Sequence, residues 1–301
     1  MSSNKSAIIA LALASIIWGA TAPIMKLTLA VVPVFTLAFL RFGTASLLLL
    51  PFVLKKLAIK EKDWPLVIAA AILGVTLNIS FFFLGLKNAP SINAPIIASS
   101  GPIILILGSI FFLHEKPKKK VLLGTFISLI GVLIIIARPL FEAGFDLTAV
   151  IGNFYFVIAT IAAVIHTLLA KELSSRYSAL VISFWSFLIG SLSFFPLFWQ
   201  ETYSHGPIIL DIRGITGLVF GIFLSSTLAY SIYHWAIKQI SASEVGVFTY
   251  IDPVVATVIA LPLLKEVITP LFILGSFFVF SGIFVAEGRI HYHPFHHLRN
   301  R

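Results

Sequence analysis

The sequence predicts an all-α integral membrane protein of ten transmembrane helices, arranged as two inverted five-helix repeats. Three observations carry this reading. The 301-residue chain is 59% hydrophobic and only 11% charged, with a mean hydropathy of +1.04, whereas a soluble domain carries about 25% charged residues. Residues 70–135 and 221–286 read as one segment written twice. Lys and Arg gather at alternate ends of successive apolar runs, the pattern that sets orientation in a bilayer.

A membrane span needs about 20 apolar residues, and the apolar runs divide accordingly. Spans 1 and 2 are expected at 6–28 and 34–54, and spans 3, 4 and 5 at 65–86, 90–113 and 121–137. Spans 6 and 7 follow at 149–171 and 178–199, and spans 8, 9 and 10 at 213–236, 242–264 and 268–287. The first run is read as a retained span, because it is longer than a signal-peptide core and contains Trp18 and Pro23. The domain division expected is 1–145 for the first repeat, 146–290 for the second, and 291–301 for a His-rich cytoplasmic tail. Connections this short leave no room for a soluble catalytic domain. The absence of cysteine excludes disulfides, iron–sulfur clusters and thiol catalysis.

Orientation follows from placing the N-terminus in the cytoplasm. The inner segments then hold Lys5, Lys55, Lys56, Lys60, Lys62, Lys116, Lys118, Lys119, Lys120, Lys171, Arg176, Lys238, Arg289, Arg299 and Arg301. The outer ends hold only Lys26, Lys87, Arg138, Arg213 and Lys265, and Arg41 lies within a span. Fifteen against five is a strong positive-inside bias, so both termini are expected in the cytoplasm of a cell with this protein in its plasma (inner) membrane. The same distribution explains the net charge of +9 without nucleic acid, since no basic stripe with interleaved aromatics occurs.

The repeat is detailed. Lys87, Pro102, Glu115, Gly124 and Gly131 match Lys238, Pro253, Glu266, Gly275 and Gly282, and Leu73, Thr76, Leu77 and Ser80 match Leu224, Thr227, Leu228 and Ser231. Five spans carry the chain across the membrane, so the second copy starts on the opposite side. The basic loop HEKPKKK (114–120) is then inner, and its counterpart KEVITP (265–270) is outer and has lost the positive cluster. A duplicated membrane half marks a secondary transporter.

Six motifs in order give the chain a resemblance to the drug/metabolite transporter superfamily, EamA type, over about residues 6–288. They are WGATAPIMK (18–26), AVIHTLLAKEL (163–173), LGLKNAPSINAPIIASSGPIILILGSIFFLHEKP (84–117), WAIKQISASEVGVFTYIDPVVATVIALPLLKEVI (235–268), LGTFISLIGVLII (123–135) and LGSFFVFSGIFVA (274–286). The resemblance implies a ten-helix permease, monomeric or homodimeric, that moves small metabolites by alternating access and uses no cofactor. Two positions depart from that family. Ala163 stands where it often has Trp, and Asp252 stands where it often has Glu.

Asp252, beside Pro253, is the leading candidate for chemistry. A carboxyl at mid-membrane costs about 2.5–3.5 kcal/mol on insertion scales, so it is expected to face a cavity and is a candidate carrier of protons. Pro253 breaks the helical ladder, and helix breaks near the midplane are where transporters place binding groups. Ser99 and Ser100 precede the matching Gly101–Pro102. Trp18 and Thr21 lie too deep in span 1 for the interfacial aromatic belt. Asn78 needs partners in an apolar span. Ser226, Tyr230 and Tyr233 share one face of span 8, with Tyr250 added from span 9. Arg41 is expected to pair with a carboxylate or to snorkel to the outer interface, and is a candidate for a gate or for the partner of a substrate anion. His166 is an isolated span histidine, either packed or titratable. Lys26 and Lys171 suit helix C-termini, and Glu115 and Glu266 are expected to cap the free amides of the helices that follow them.

The reading that results is a secondary transporter of amino acids, nucleosides or amphipathic drugs, most consistent with export. The alternatives are a passive uniporter or channel, or a membrane-embedded enzyme. The sequence holds no clustered nucleophile, no HExxH-type metal motif and no P-loop, so neither catalysis, bound metal nor direct ATP drive is expected.

Overall fold

The computed structural model describes residues 2–104, 119–142, 145–206, 210–236, 239, 248 and 250–287. The far half of expected span 4, most of the loop with Glu115, the opening of span 9 and the His-rich tail lie outside the described residues. Among the described residues the chain is helical throughout, with no strand.

The helices are α1 (Ser2–Thr28), α2 (Val34–Val53), α3 (Trp64–Ala71), α4 (Asn78–Asn88), α5 (Asn93–Ala98), α6 (Lys119–Phe141), α7 (Leu147–Ser174) and α8 (Ala179–His205). They continue as α9 (Ile212–Val219), α10 (Ala229–Ala236), α11 (Ile251–Leu264) and α12 (Pro270–Glu287). α3 and α4 are one span joined by a π-helical segment, Ile72–Leu77, and α9 and α10 are joined likewise by Phe220–Leu228. Seven stretches are long and apolar enough to cross a bilayer: Lys5–Thr28, Val34–Lys56, Glu61–Asn88, Lys119–Phe141, Leu147–Ser174, Ala179–Ser204 and Ile212–Ala236. The shorter α11 and α12, and α5 opening the fourth span, complete a ten-span order. The protein is therefore a multi-pass membrane protein.

The helices pair in a way that only a pseudo-twofold explains. α2 packs on α8, and α6 on α12, so each of these spans meets its own repeat mate. α4 packs on α7 as α1 packs on α10, and α5 packs on α7 as α11 packs on α1. The self-paired helices run antiparallel. Glu201 reaches Thr36 at 2.9 Å, Phe39 stacks on Phe198 at 4.4 Å, and Phe42 meets Phe187 at 5.2 Å, so one chain descends as the other rises. Antiparallel contact between repeat mates puts the axis in the membrane plane, which is the inverted topology.

Glycine sets the α6–α12 seam. A Cβ added at Gly124 would stand 2.3 Å from the Ala286 nitrogen and 2.4 Å from the Gly282 oxygen. One added at Gly131 would stand 2.5 Å from the Val279 nitrogen and 2.6 Å from the Gly275 oxygen. The two backbones touch at these four glycines, the close approach that drives helix association in lipid. The opposite faces of the same helices expose Leu123, Phe126, Leu133, Ile273, Phe277 and Phe284, as a lipid-facing pair requires.

Side chains from neighbouring elements fix the span ends. Glu201 accepts from the amides of Phe35 and Thr36 at 3.2 and 2.7 Å and caps α2. Asp146 and Asp211 cap α7 and α9. On the side expected to be cytoplasmic, the buried carboxylate of Asp63 pairs with Arg176 and accepts from the Tyr177 hydroxyl at 2.6 Å, tying α3 to the α7–α8 turn.

Candidate functional site

The backbone irregularities are duplicated along with the sequence. The first π-segment, shifted by the repeat, falls on residues 223–228 within the second. π-turns loosen the helical ladder and cluster at functional sites. α5 stops in a turn at Ser99–Ser100 before helix resumes at 101–104, and the matching Tyr250 is a turn before α11 opens at Ile251. Asp252 and Pro253 therefore stand in the first turn of α11, about 18 Å along that helix from its C-terminal end. The kink that a mid-span proline implies is realised as a helix start.

α1 lies between α11 and the second π-segment. One of its faces meets Asp252. Gly19 lets α11 close, since a Cβ there would stand 2.8 Å from the Asp252 carbonyl oxygen. The Oδ1 atom of Asp252 is buried with no partner among the described residues. The other face of α1 meets span 8. Trp18 Nε1 donates to the Ser225 carbonyl at 3.2 Å, and the hydroxyls of Thr21 and Ser225 are 2.9 Å apart.

Around this seam the rings form a continuous cluster. Trp18 lies 5.2 Å from Tyr230 and 4.9 Å from Tyr233. Tyr230 meets Phe187 at 5.2 Å and His234 at 5.9 Å. The Nδ1 atom of His234 is 2.8 Å from Ser183 Oγ, and its ring lies 5.9 Å from that of His166. Both halves of the protein supply this cluster.

Arg41 meets neither a carboxylate nor the interface. It is 2% exposed, about 10 Å along α2 from that helix's N-terminal end. Its Nε donates to Ser226 Oγ at 2.8 Å and to the Gly221 carbonyl at 3.3 Å, and Nη2 donates to Ser225 Oγ at 2.8 Å. The face of α2 that carries it points at the second π-segment, whose open carbonyl and paired serines hold the guanidinium inside. His166 does the same at the first π-segment, with Nδ1 2.9 Å from the Ala70 carbonyl, so that nitrogen carries the proton. Ala70 and Gly221 are repeat mates. So are the contacts of Gly74 with His166 and of Ser225 with Thr21.

Other residues singled out from sequence have backbone duties. Asn78 donates to the Ala159 carbonyl at 2.8 Å and ties α4 to α7. Ser99 and Ser100 donate to the carbonyls of Pro95 and Ile97 at 2.8 and 2.6 Å. Tyr250 stacks edge-on against Phe280 of α12 at 5.8 Å, away from Tyr230 and Tyr233. Sequence reasoning placed His234 in span 8 without a role and missed Ser225 and Ser183. The signal for Ser225 was its place in the repeat, opposite a glycine.

Glu266 caps amides, but those of Ser91 and Ile92 before α5, at 2.7 and 3.1 Å, rather than those of α12. Lys265 takes a left-handed conformation at φ 53°, which turns the chain there. Lys26 joins Glu266 at 3.1 Å and donates to the Ala89 carbonyl at 2.6 Å. One ion pair thus fastens the ends of α1, α4 and α11 together. Glu115, the repeat mate, lies outside the described residues.

A duplicated, inverted bundle with broken helices and polar side chains gathered at its centre defines a membrane carrier by class. The profile of the EamA-like transporter family matches residues 5–137 and again residues 150–287, and the chain belongs to that family. It is 33% identical over 293 residues to the uncharacterized transporter YetK of Bacillus subtilis, covering 94% of this chain and 87% of that protein. It is 24% identical over 291 residues to an uncharacterized transporter of Archaeoglobus fulgidus, covering 96% and 99%. It is 24% identical over 253 residues to the pseudopaline exporter CntI of Pseudomonas aeruginosa, covering 82% and 84%. A crystal structure at 19% identity aligns over 97% of this chain and 99% of its own, with a TM-score of 0.63, and supports the fold.

Proposed function

We propose that this protein is a secondary transporter that moves small metabolites across the plasma membrane by alternating access, in the export direction, and that it catalyses no reaction. The observation that carries this is the central cluster, where Trp18, Thr21, Arg41, Ser226, Tyr230 and Tyr233 meet beside duplicated helix breaks, with Asp252 on the other face of α1. The repeats 1–145 and 146–290 act as the two moving parts, with both termini and the tail 291–301 in the cytoplasm. The unit is one chain, monomeric or in a homodimer. The pseudopaline exporter among its relatives supports the direction. Amino acids, nucleosides and amphipathic drugs are the solute classes that hydroxyls and aromatic faces accommodate. Asp252, whose buried Oδ1 meets no partner among the described residues, carries the coupling proton.

The test is uptake and counterflow in proteoliposomes with amino acids, nucleosides and lipophilic cations, with and without a pH gradient. Movement of a solute that follows the gradient in wild type and not in Asp252→Asn is the expected result. Movement indifferent to gradient and substitution makes the protein a uniporter. No movement of any solute defeats the transport reading.

A further inference from the structure

We infer that Arg41 is the anchor for a carboxylate on the transported solute, so that aromatic or apolar carboxylates are the preferred class over nucleosides and cations. The inference rests on the transport reading and sharpens it.

The argument starts from an uncompensated charge. A guanidinium stays protonated, and burying it without an opposite charge is costly. Among the described residues no carboxylate pairs with Arg41, whose neighbours are hydroxyls, a carbonyl and the Phe42 ring at 4.7 Å. Its Nη1 is buried and meets no acceptor. A structural arginine in a span is normally paired or lines a functional path.

The surroundings fit an anionic oxygen pair. Ser226 accepts from Arg41 Nε, so its own hydroxyl proton is left to donate. Nη1 is left to donate to a carboxylate oxygen, and the Ser226 hydroxyl is a second donor at the guanidinium. Ser225 bridges Arg41 to Thr21 and, through its carbonyl, to Trp18, which stands against Tyr230. A solute held at Arg41 therefore has ring faces beside it for an apolar or aromatic body. One cation with two donors matches a carboxylate better than a phosphate dianion, which draws on more donors.

The probes are N-acetyl-phenylalanine, its neutral amide, and phenyl phosphate. Each is titrated against the full chain in nanodiscs by thermal unfolding, and then used as a counterflow solute in proteoliposomes. The variants are Arg41→Gln, Arg41→Lys and Ser226→Ala. The expected result is that wild type responds to the carboxylate at about tenfold lower concentration than to the amide, a charge-assisted bond's worth of preference. Arg41→Gln abolishes that preference, Arg41→Lys keeps part of it, and Ser226→Ala weakens it. Equal response to carboxylate and amide in wild type overturns the inference, even if Arg41→Gln does not fold. So does an undiminished preference in Arg41→Gln, or a preference for phenyl phosphate. Counterflow of the amide without carboxylate preference leaves transport standing and removes Arg41 from it. Carboxylate-selective binding with no movement keeps the anchor and removes transport.

Discussion

Replacing Glu266 by Gln should loosen the outer face of the bundle. In the structure its two carboxylate oxygens accept from two backbone amides and from Lys26. A glutamine offers one acceptor oxygen, so one of the Ser91 and Ile92 amides faces an NH2 group and loses its bond. A buried amide left without an acceptor costs about 1–3 kcal/mol. Lys26 is 28% exposed, so the lost ion pair adds only about 0.5 kcal/mol. The closed arrangement is then weaker by about 2 kcal/mol, roughly a thirtyfold shift in the ratio of closed to open. The chain contains no cysteine, so a single Thr21→Cys reports without further engineering. Thr21 is 5% exposed and lies beneath the ion pair. Its labelling by a membrane-impermeant maleimide, applied to the face bearing Lys26, should accelerate ten- to thirtyfold in Glu266→Gln, by the same arithmetic. An unchanged rate, or acceleration from the opposite face, refutes the assignment of this pair as the outer fastening.

Gly131→Leu places a side chain against the α12 backbone, which cannot yield, so the protein should lose its monodisperse peak in fluorescence-detected size exclusion. Asn78→Ala should be mild, since interhelical hydrogen bonds in membranes average about 0.6 kcal/mol, and the thermal midpoint should fall only slightly. Arg176→Ala strands the Asp63 carboxylate, which is 3% exposed, although Arg176 itself is 31% exposed. The loss should be about 1–3 kcal/mol, visible as a melt lowered more than for Asn78→Ala. Asp252→Asn should retain exchange of solute across the membrane while pH-driven accumulation disappears.

Much of the architecture was legible because the bilayer leaves few solutions. Spans, their order and their inversion follow from apolar length, Lys and Arg placement and the repeat, and the glycines at 124, 131, 275 and 282 announced a seam. The residues that carry backbone irregularity were harder. Pro253 signals a helix break, but nothing in ILGVTL or FGIFLSSTL signals a π-turn. Arg41 therefore read as a search for a carboxylate, when its carbonyl partner is created by the widened turn at Gly221. Asn78, Ser99 and Ser100 are polar in apolar runs, and sequence cannot tell a backbone tie from a solute contact.

The glycine seam between α6 and α12 sits on the pseudo-twofold, and it is made by two copies of one segment facing each other. A surface of that kind is self-complementary. Before duplication, two separate five-helix chains inserted in opposite orientations would meet along the same strip. A change to Gly124 or Gly131 needs its answer in Gly282 or Gly275, so the two halves are tied to each other along this line, whereas Asp252 and its counterpart Gly101, which do not face each other across it, carry no such tie.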